Sequence, residues 1–277
     1  MCQKGEARGY IICFSATRDD YEERVMSEPS INAEDIGPVN WSEIIPDEEW
    51  KLHRSVIQKA QERGLRFALG GGLAFSAYSH RLRNTKDLDL FILPQEREAV
   101  IEVTREAGYT DYYEKEPYDR SWIYRAYRDD VLVDVIWENA NHRAEIDEAW
   151  LTRGPEIEML GLSVRLLPPE ELIWSKLYII HRERCDWPDL LNILYRTGPK
   201  LDWGHLLKRV GKDAPLLGGL MSLFGWLCPQ RAREVPEWVW ERMGVAFPEP
   251  GPNCAEDRHR VELIDSRDWF GPTPAEE

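Results

Sequence analysis

The chain has 277 residues, 43% hydrophobic and 31% charged, with a formal net charge of −15. This is ordinary globular composition, with enough material for one large domain or two small ones. The acidic balance disfavours non-specific attachment to nucleic acid or anionic membranes, although it leaves room for a local basic groove.

Residues 1–44 are mixed and poorly periodic and read as an N-terminal extension. Within them "GYIICFSA" has the pattern of an edge strand, and "TRDDYEERVMSEPS" that of a solvated stretch. The run "YIICFSA" is too short to span a bilayer, and no basic segment leads into a signal-like apolar core. The expected location is the cytoplasm. Trp50, His53, Ile57 and Ala60 recur at helical spacing behind an acidic first turn, with Gly64 as the stop. "LRFAL" (65–69) is strand-like and runs into three glycines. "LAFSAYSH" is a short helix beginning there, and "DLDLFIL" is a strand closed by Pro94. "EREAVIEVTREAG" (96–108) is a helix with a terminal glycine.

"SWIYRAYR" and "VLVDVIW" flank "DD" and predict a β-hairpin, and a second hairpin is expected around Gly161. From Pro168 the pattern turns helical, in "PPEELIWSKLYIIHRER", "WPDLLNILYR" and "DWGHLLKRV". The end of the chain is rich in Trp and Pro, and Trp238 and Trp240 are expected to form a partner surface or a capping strand; the other tryptophans read mostly as core. Mixed helix and strand followed by helices predicts an α+β or α/β core with a helical region after it. Cys2, Cys13, Cys185, Cys228 and Cys254 are scattered and lack CxxC spacing, so neither a zinc site nor a disulfide framework is expected.

The stretch from Gly70 to Leu93 carries the chemistry. Alternate side chains of a strand share a face, so Asp87 and Asp89 point one way while Leu88, Leu90 and Ile92 point to the core. Two like charges on one face of an apolar strand repel each other, and a bound cation would remove both that repulsion and the cost of burial, whereas an Asp-x-Asp alone is usually a solvated strand face. Asp134, centred in "VLVDVIW", is a third candidate if its strand lies beside 87–93. Three converging carboxylates would suit Mg²⁺, and two such ions can clamp the attacking and leaving oxygens of an in-line displacement. The other reading of Asp134 is an ion pair with a nearby arginine such as Arg125. Gly71 and Gly72 stand at a strand-to-helix turn, where the backbone can approach a phosphate and the helix N-terminus favours an anion. Arg83 and Lys86 precede the acidic pair and are candidates for neutralising triphosphate charge, or plain solvated loop residues. His80 and His142 read as ordinary polar residues, because this chemistry prefers oxygen donors.

On these residues the chain resembles the nucleotidyltransferase superfamily of the DNA polymerase beta type. Leu69-Gly70-Gly71-Gly72 and Asp87-Leu88-Asp89 match its motif, and Asp134 fits its third carboxylate. "RNTKDLDL" is similar to the form found in small bacterial and archaeal members, including AbiEii-type toxins. Gly72 replaces the serine some relatives carry, and Leu73 stands where several toxins have threonine. The resemblance covers residues 65–137 and extends loosely to about 210, since "LPPEELIWSKLYIIHRERCDWPDLLNIL" is similar to the helical segment after the core. It implies that Gly70, Gly71, Gly72 and Lys176 bind nucleotide, with Arg83 and Lys86 as the further nucleotide-binding candidates that their place before the acidic pair suggests. It also implies that Asp87, Asp89 and Asp134 are catalytic and hold Mg²⁺, and that Asp186 and Asp189 form an acidic pair opening the next helix.

The expected organisation is α+β: an extension (1–44), a nucleotidyltransferase core with a mixed β-sheet flanked by helices (45–155), a helical segment completing the site (156–210) and a C-terminal region (211–277). The expected activity is transfer of an NMP from an NTP such as ATP to a hydroxyl of a small molecule, protein or RNA, releasing pyrophosphate. RNA is not favoured by the charge, and no membrane partner is expected. The alternative is a non-catalytic nucleotide-binding or regulatory module, such as a toxin–antitoxin component.

Overall fold

A computed structural model describes residues 30–81, 86–251, 256–264 and 269–270. The expectations for 9–29, for Arg83, and for Cys2, Cys13 and Cys254 lie outside these residues. The fold is α+β: a five-stranded mixed sheet flanked by helices, followed by a helical C-terminal region.

Helix α1 (Asp47–Glu62) starts after Pro46 with Asp47, Glu48 and Glu49 in its first turn, where carboxylates offset the helix dipole. Trp50, His53, Val56, Ile57 and Ala60 form its buried stripe, and Gly64 ends the turn at φ 66°. The chain then lays down β1 (Ala68–Leu69), helix α2 (Gly71–Ser79) and β2 (Asp87–Phe91). Helix α3 (Arg97–Glu106) follows, then the short β3 (Thr110–Asp111). Next comes a hairpin of β4 (Ile123–Arg128) and β5 (Val131–Ile136), turned through Asp129 at φ 55°.

The strand order is β1-β2-β5-β4-β3. β2 and β5 are the parallel pair, and the other neighbours are antiparallel. Leu88, Leu90, Val133 and Val135 are fully buried on one sheet face, and α1 and α3 both pack on β5. Each such side chain contributes roughly 1.5–3 kcal/mol through burial. The opposite face carries the acidic residues.

A second hairpin, β6 (Glu156–Met159) and β7 (Leu162–Arg165), turns at Leu160 and Gly161, both with positive φ. Its exit joins the sheet edge, where Leu167 N donates to Leu69 O at 2.8 Å. Helices α4 (Pro169–Leu177) and α5 (Trp187–Thr197) then pack on α2, and α6 (Trp203–Val210) packs on α4. Helix α7 (Ala214–Leu227) and shorter helices complete the C-terminal region.

Several boundaries differ from the expected ones. The strand read over 65–69 pairs only at Ala68 and Leu69. The helix expected through Arg184 stops at Leu177, because the chain doubles back: Asp186 N donates to Ile179 O, which brings the Asp186 carboxylate to Lys176. Trp238 and Trp240 sit on a helix (Glu237–Met243), not a capping strand, with Trp240 buried in the core and Trp238 exposed. No described helix is long and apolar enough to cross a membrane.

Candidate active site

A cleft of about 430 Å³ opens on the acidic face of the sheet, between the start of α2, the strands β2, β5 and β4, and the end of α4. Its lining includes Gly71, Gly72, Asp87, Asp89, Asp134, Arg125 and Lys176.

The strand-to-helix turn sets one end. Gly70 N donates to Asp89 O at 3.0 Å, continuing the β1–β2 ladder into the turn. Gly71 takes φ +50°, and a Cβ built on it would lie 1.6 Å from Asp89 Oδ2. The turn therefore needs glycine twice over, for its backbone angle and for the carboxylate pressed against it. Gly70 does not line the cleft; a Cβ there would strike the Phe91 ring at 2.2 Å. Gly71 and Gly72 are the first residues of α2, whose unpaired N–H groups and partial positive charge lie at the cleft.

The acidic residues follow from register. Asp89 on β2 stands directly beside Asp134 on β5, and Asp134 stands directly opposite Arg125 on β4. Asp89, Asp134 and Arg125 thus form one row across three strands on one face. Burial, then the charges of Asp134 and Asp87, pushes the Asp89 carboxyl up to about 7 against the opposing pull of Lys176 and Arg125. Arg125 donates from Nε to Asp134 Oδ1 at 2.8 Å and from Nη2 to Oδ2 at 2.6 Å, a two-point pair. Those bonds, together with the neighbouring negative charges, hold the guanidinium pKa above its ordinary value.

The far wall is a second ion-pair group. Buried Lys176 donates to Asp186 at 2.5 Å and to Asp189 at 3.0 Å. Arg184 forks onto Asp186 at 2.9 and 3.0 Å. Burial alone would raise the Asp186 carboxyl, but the Arg184 bonds and the Lys176 charge outweigh it and hold it low. Trp122, Ile123, Ile136 and Ile179 give the cleft an apolar side, with Tyr178 and Asn139 beside it.

Of the residues singled out in the sequence, the cleft brings together Gly71, Gly72, Asp87, Asp89, Asp134 and Lys176. Lys86 is exposed ahead of β2 and does not line it. The donor chemistry fits Mg²⁺: hard carboxylate oxygens share one face, and Asp89 lacks enough positive charge to stay readily ionised. Asp134 is turned to Arg125, however, and among the described residues no three His, Cys, Asp or Glu side chains are gathered to hold one ion. The apolar wall and Arg184 were not anticipated: Ile123 and Ile136 belong to the hairpin strands β4 and β5, whereas Trp122, Ile179 and Arg184 come from loops with no periodic signal.

The family model for "Nucleotidyl transferase of unknown function (DUF2204)" matches residues 50–210. Among solved structures, the chain is similar to the solution structure of the antibiotic-resistance factor ANT(2'')-Ia, at 22% identity and TM-score 0.40, over 64% of this chain and 91% of that one. It is similar to ANT(2")-Ia in complex with adenylyl-2"-tobramycin at 22% identity and TM-score 0.35, over 47% and 75%. It is also similar to JHP933 from Helicobacter pylori at 15% identity and TM-score 0.34, over 64% and 79%. No curated protein matches.

Proposed function

The chain belongs to the DUF2204 nucleotidyl transferase family, and from that premise we propose that it transfers an NMP from an NTP to an acceptor hydroxyl in a Mg²⁺-dependent reaction. The observation that carries the proposal is the meeting, in one cleft, of the glycine turn at the start of α2 with the Asp87–Asp89 strand. Asp87 and Asp89 would hold the metal, with Asp134 joining them. Bound there, Mg²⁺ would offset phosphate charge and steady the attacking and leaving oxygens.

The chain's own groups do the rest. The Gly71 and Gly72 amides receive phosphate oxygens at the helix N-terminus. Lys176, on the far wall, supplies positive charge to the phosphates. The apolar side made by Trp122, Ile123 and Ile136 keeps water from competing with the acceptor. The acceptor oxygen bonds to the α-phosphorus as the bond to the β-phosphate breaks. Pyrophosphate leaves with the electron pair, and the hydroxyl proton passes to the Asp134 carboxylate. The acceptor is a hydroxyl of a small molecule, a protein side chain or an RNA end.

Melting-temperature shifts with ATP, GTP, CTP and UTP, each with and without Mg²⁺, test nucleotide binding. Incubation with α-labelled NTP and a cell lysate then shows whether label enters small molecules, protein or RNA. The two-point pair of Arg125 on Asp134 favours a second reading, a nucleotide-binding regulatory module such as a toxin–antitoxin component. Nucleotide binding with no label transfer and no pyrophosphate release would select it.

A further inference from the structure

Asp134 has two neighbours in its row, the Asp89 carboxylate on one side and the Arg125 guanidinium on the other. Its side chain is 4% exposed, and both of its oxygens accept from Arg125. A guanidinium carries five N–H donors, and this pair uses two of them. Arg125 lines the cleft and its side chain is 36% exposed, so the remaining donors are within reach of what the cleft binds. The backbone of Arg125 is fixed, its N–H donating to the Tyr118 hydroxyl at 2.9 Å, and the guanidinium also lies over the Tyr112 ring, 5.9 Å from its centroid.

We propose that Arg125 is a positioning residue that serves as the resident counter-ion of Asp134, is displaced from it by a divalent cation, and then turns to a phosphate of the nucleotide. This rests on the nucleotidyl-transfer reading. Without a counter-ion, Asp134 would be a nearly buried carboxylate beside a second carboxylate, a costly arrangement. The guanidinium and the metal compete for the same two oxygens, while a phosphate competes with Asp134 for the guanidinium. Metal and nucleotide therefore favour each other's binding, and the coupling is reciprocal.

The test is Mn²⁺ binding to the full chain without nucleotide, followed by electron paramagnetic resonance. Arg125→Gln should tighten Mn²⁺ binding by about tenfold, within the range expected for close charge pairs. In an Asp134→Asn background the same change should have little effect, because the contested oxygens are gone. At saturating Mn²⁺ Arg125→Gln should weaken ATP binding, because the displaced guanidinium is then the group that meets the phosphate. An unchanged Mn²⁺ affinity in Arg125→Gln overturns the proposal. So does a tightening that persists in the Asp134→Asn background, which would be a general field effect. If Arg125→Gln does not fold, Arg125→Lys keeps the charge but loses the fork, and Mn²⁺ affinity equal to wild type overturns the proposal. Asp89→Asn separates the two levels: if it leaves Mn²⁺ binding intact, the metal reading of the cleft fails as well. If Asp89→Asn abolishes binding and Arg125→Gln changes nothing, only the counter-ion role fails.

Discussion

The Asp89 carboxylate fills the space that a side chain on Gly71 would need: Oδ2 lies 1.6 Å from the position of a Cβ, on a backbone with φ +50°. Gly71→Ala should therefore move both the turn and the carboxylate. The expected result is a drop in NTP turnover of roughly a hundredfold, since small misplacements at a reacting centre are costly. Stability should fall by about 1 kcal/mol or more from the backbone strain. Pyrophosphate release and urea unfolding of the same preparation measure the two effects, and wild-type turnover in a folded Gly71→Ala protein would detach the turn from the chemistry.

Asp89 gives the metal-free protein a pH dependence of defined sign. Its folded-state pKa is raised to about 7 by burial and by Asp134 and Asp87, so the folded form keeps its proton longer than the unfolded form. The associated stability is complete below the ordinary carboxylate pKa and is lost as pH rises through about 7. In chelator at pH 8, Asp89→Asn should be more stable than wild type, by something on the order of 1–3 kcal/mol, and should have lost NTP turnover. Thermal melts at pH 5 and pH 8 decide this: the two proteins should converge at the lower pH.

Lys176 is held by Asp186 and Asp189 in a nearly buried group. Lys176→Met removes the cation and leaves the Asp186 and Asp189 carboxylates behind, with Arg184 still forked onto Asp186. A loss of about 3 kcal/mol is expected, as for breaking other buried pairs from one side. Lys176→Met combined with Asp189→Asn should recover part of it. Urea denaturation of the three proteins provides the cycle, and no recovery in the double variant would show that Asp189 is not energetically coupled to the lysine.

His53 faces the core from α1, and burial pushes its imidazole down to about 4. Below pH 6.5 the unfolded chain takes up a proton that the folded chain refuses, so stability falls as pH drops toward 4. The loss attributable to this residue is about 3 kcal/mol across that window. His53→Leu should flatten the profile between pH 6.5 and 4; a profile unchanged by the substitution would assign the dependence to other groups.

The acidic face was legible because β2 and β5 alternate cleanly: Leu88 and Leu90 against Asp87 and Asp89, Val133 and Val135 against Asp134. The Arg125–Asp134 pairing was within reach too, since counting outward from the Asp129-Asp130 turn sets 125 opposite 134. Lys176 stood out only through resemblance, because a lysine on an apolar helix has no local mark of what it meets. Trp122, Tyr178 and Asn139 were not legible at all. Trp122 and Asn139 reach the cleft from the loops flanking β4 and β5, and Tyr178 from the end of α4, whose position depends on how α4 packs on α2. The misjudged helix end at Leu177 has the same origin: local pattern favoured continuation, and the return of Asp186 to Lys176 is a tertiary contact.

The ladder order also bears on how the protein acquires its fold. β4 and β5 are joined by Asp129 and Asp130 alone, so that hairpin needs little chain closure, whereas the parallel β2–β5 pairing joins segments far apart in sequence. Arg125 can therefore clasp Asp134 while β2 is still undocked, and the Asp89 carboxylate then arrives against a charge already neutralised. In pulse-labelled hydrogen exchange the hairpin amides of Ala126 and Val133 should gain protection before those of Leu88 and Leu90. Replacing Arg125 should slow the later phase more than the earlier one, so that the same arginine that guards the finished cleft also sets the pace at which the cleft is assembled.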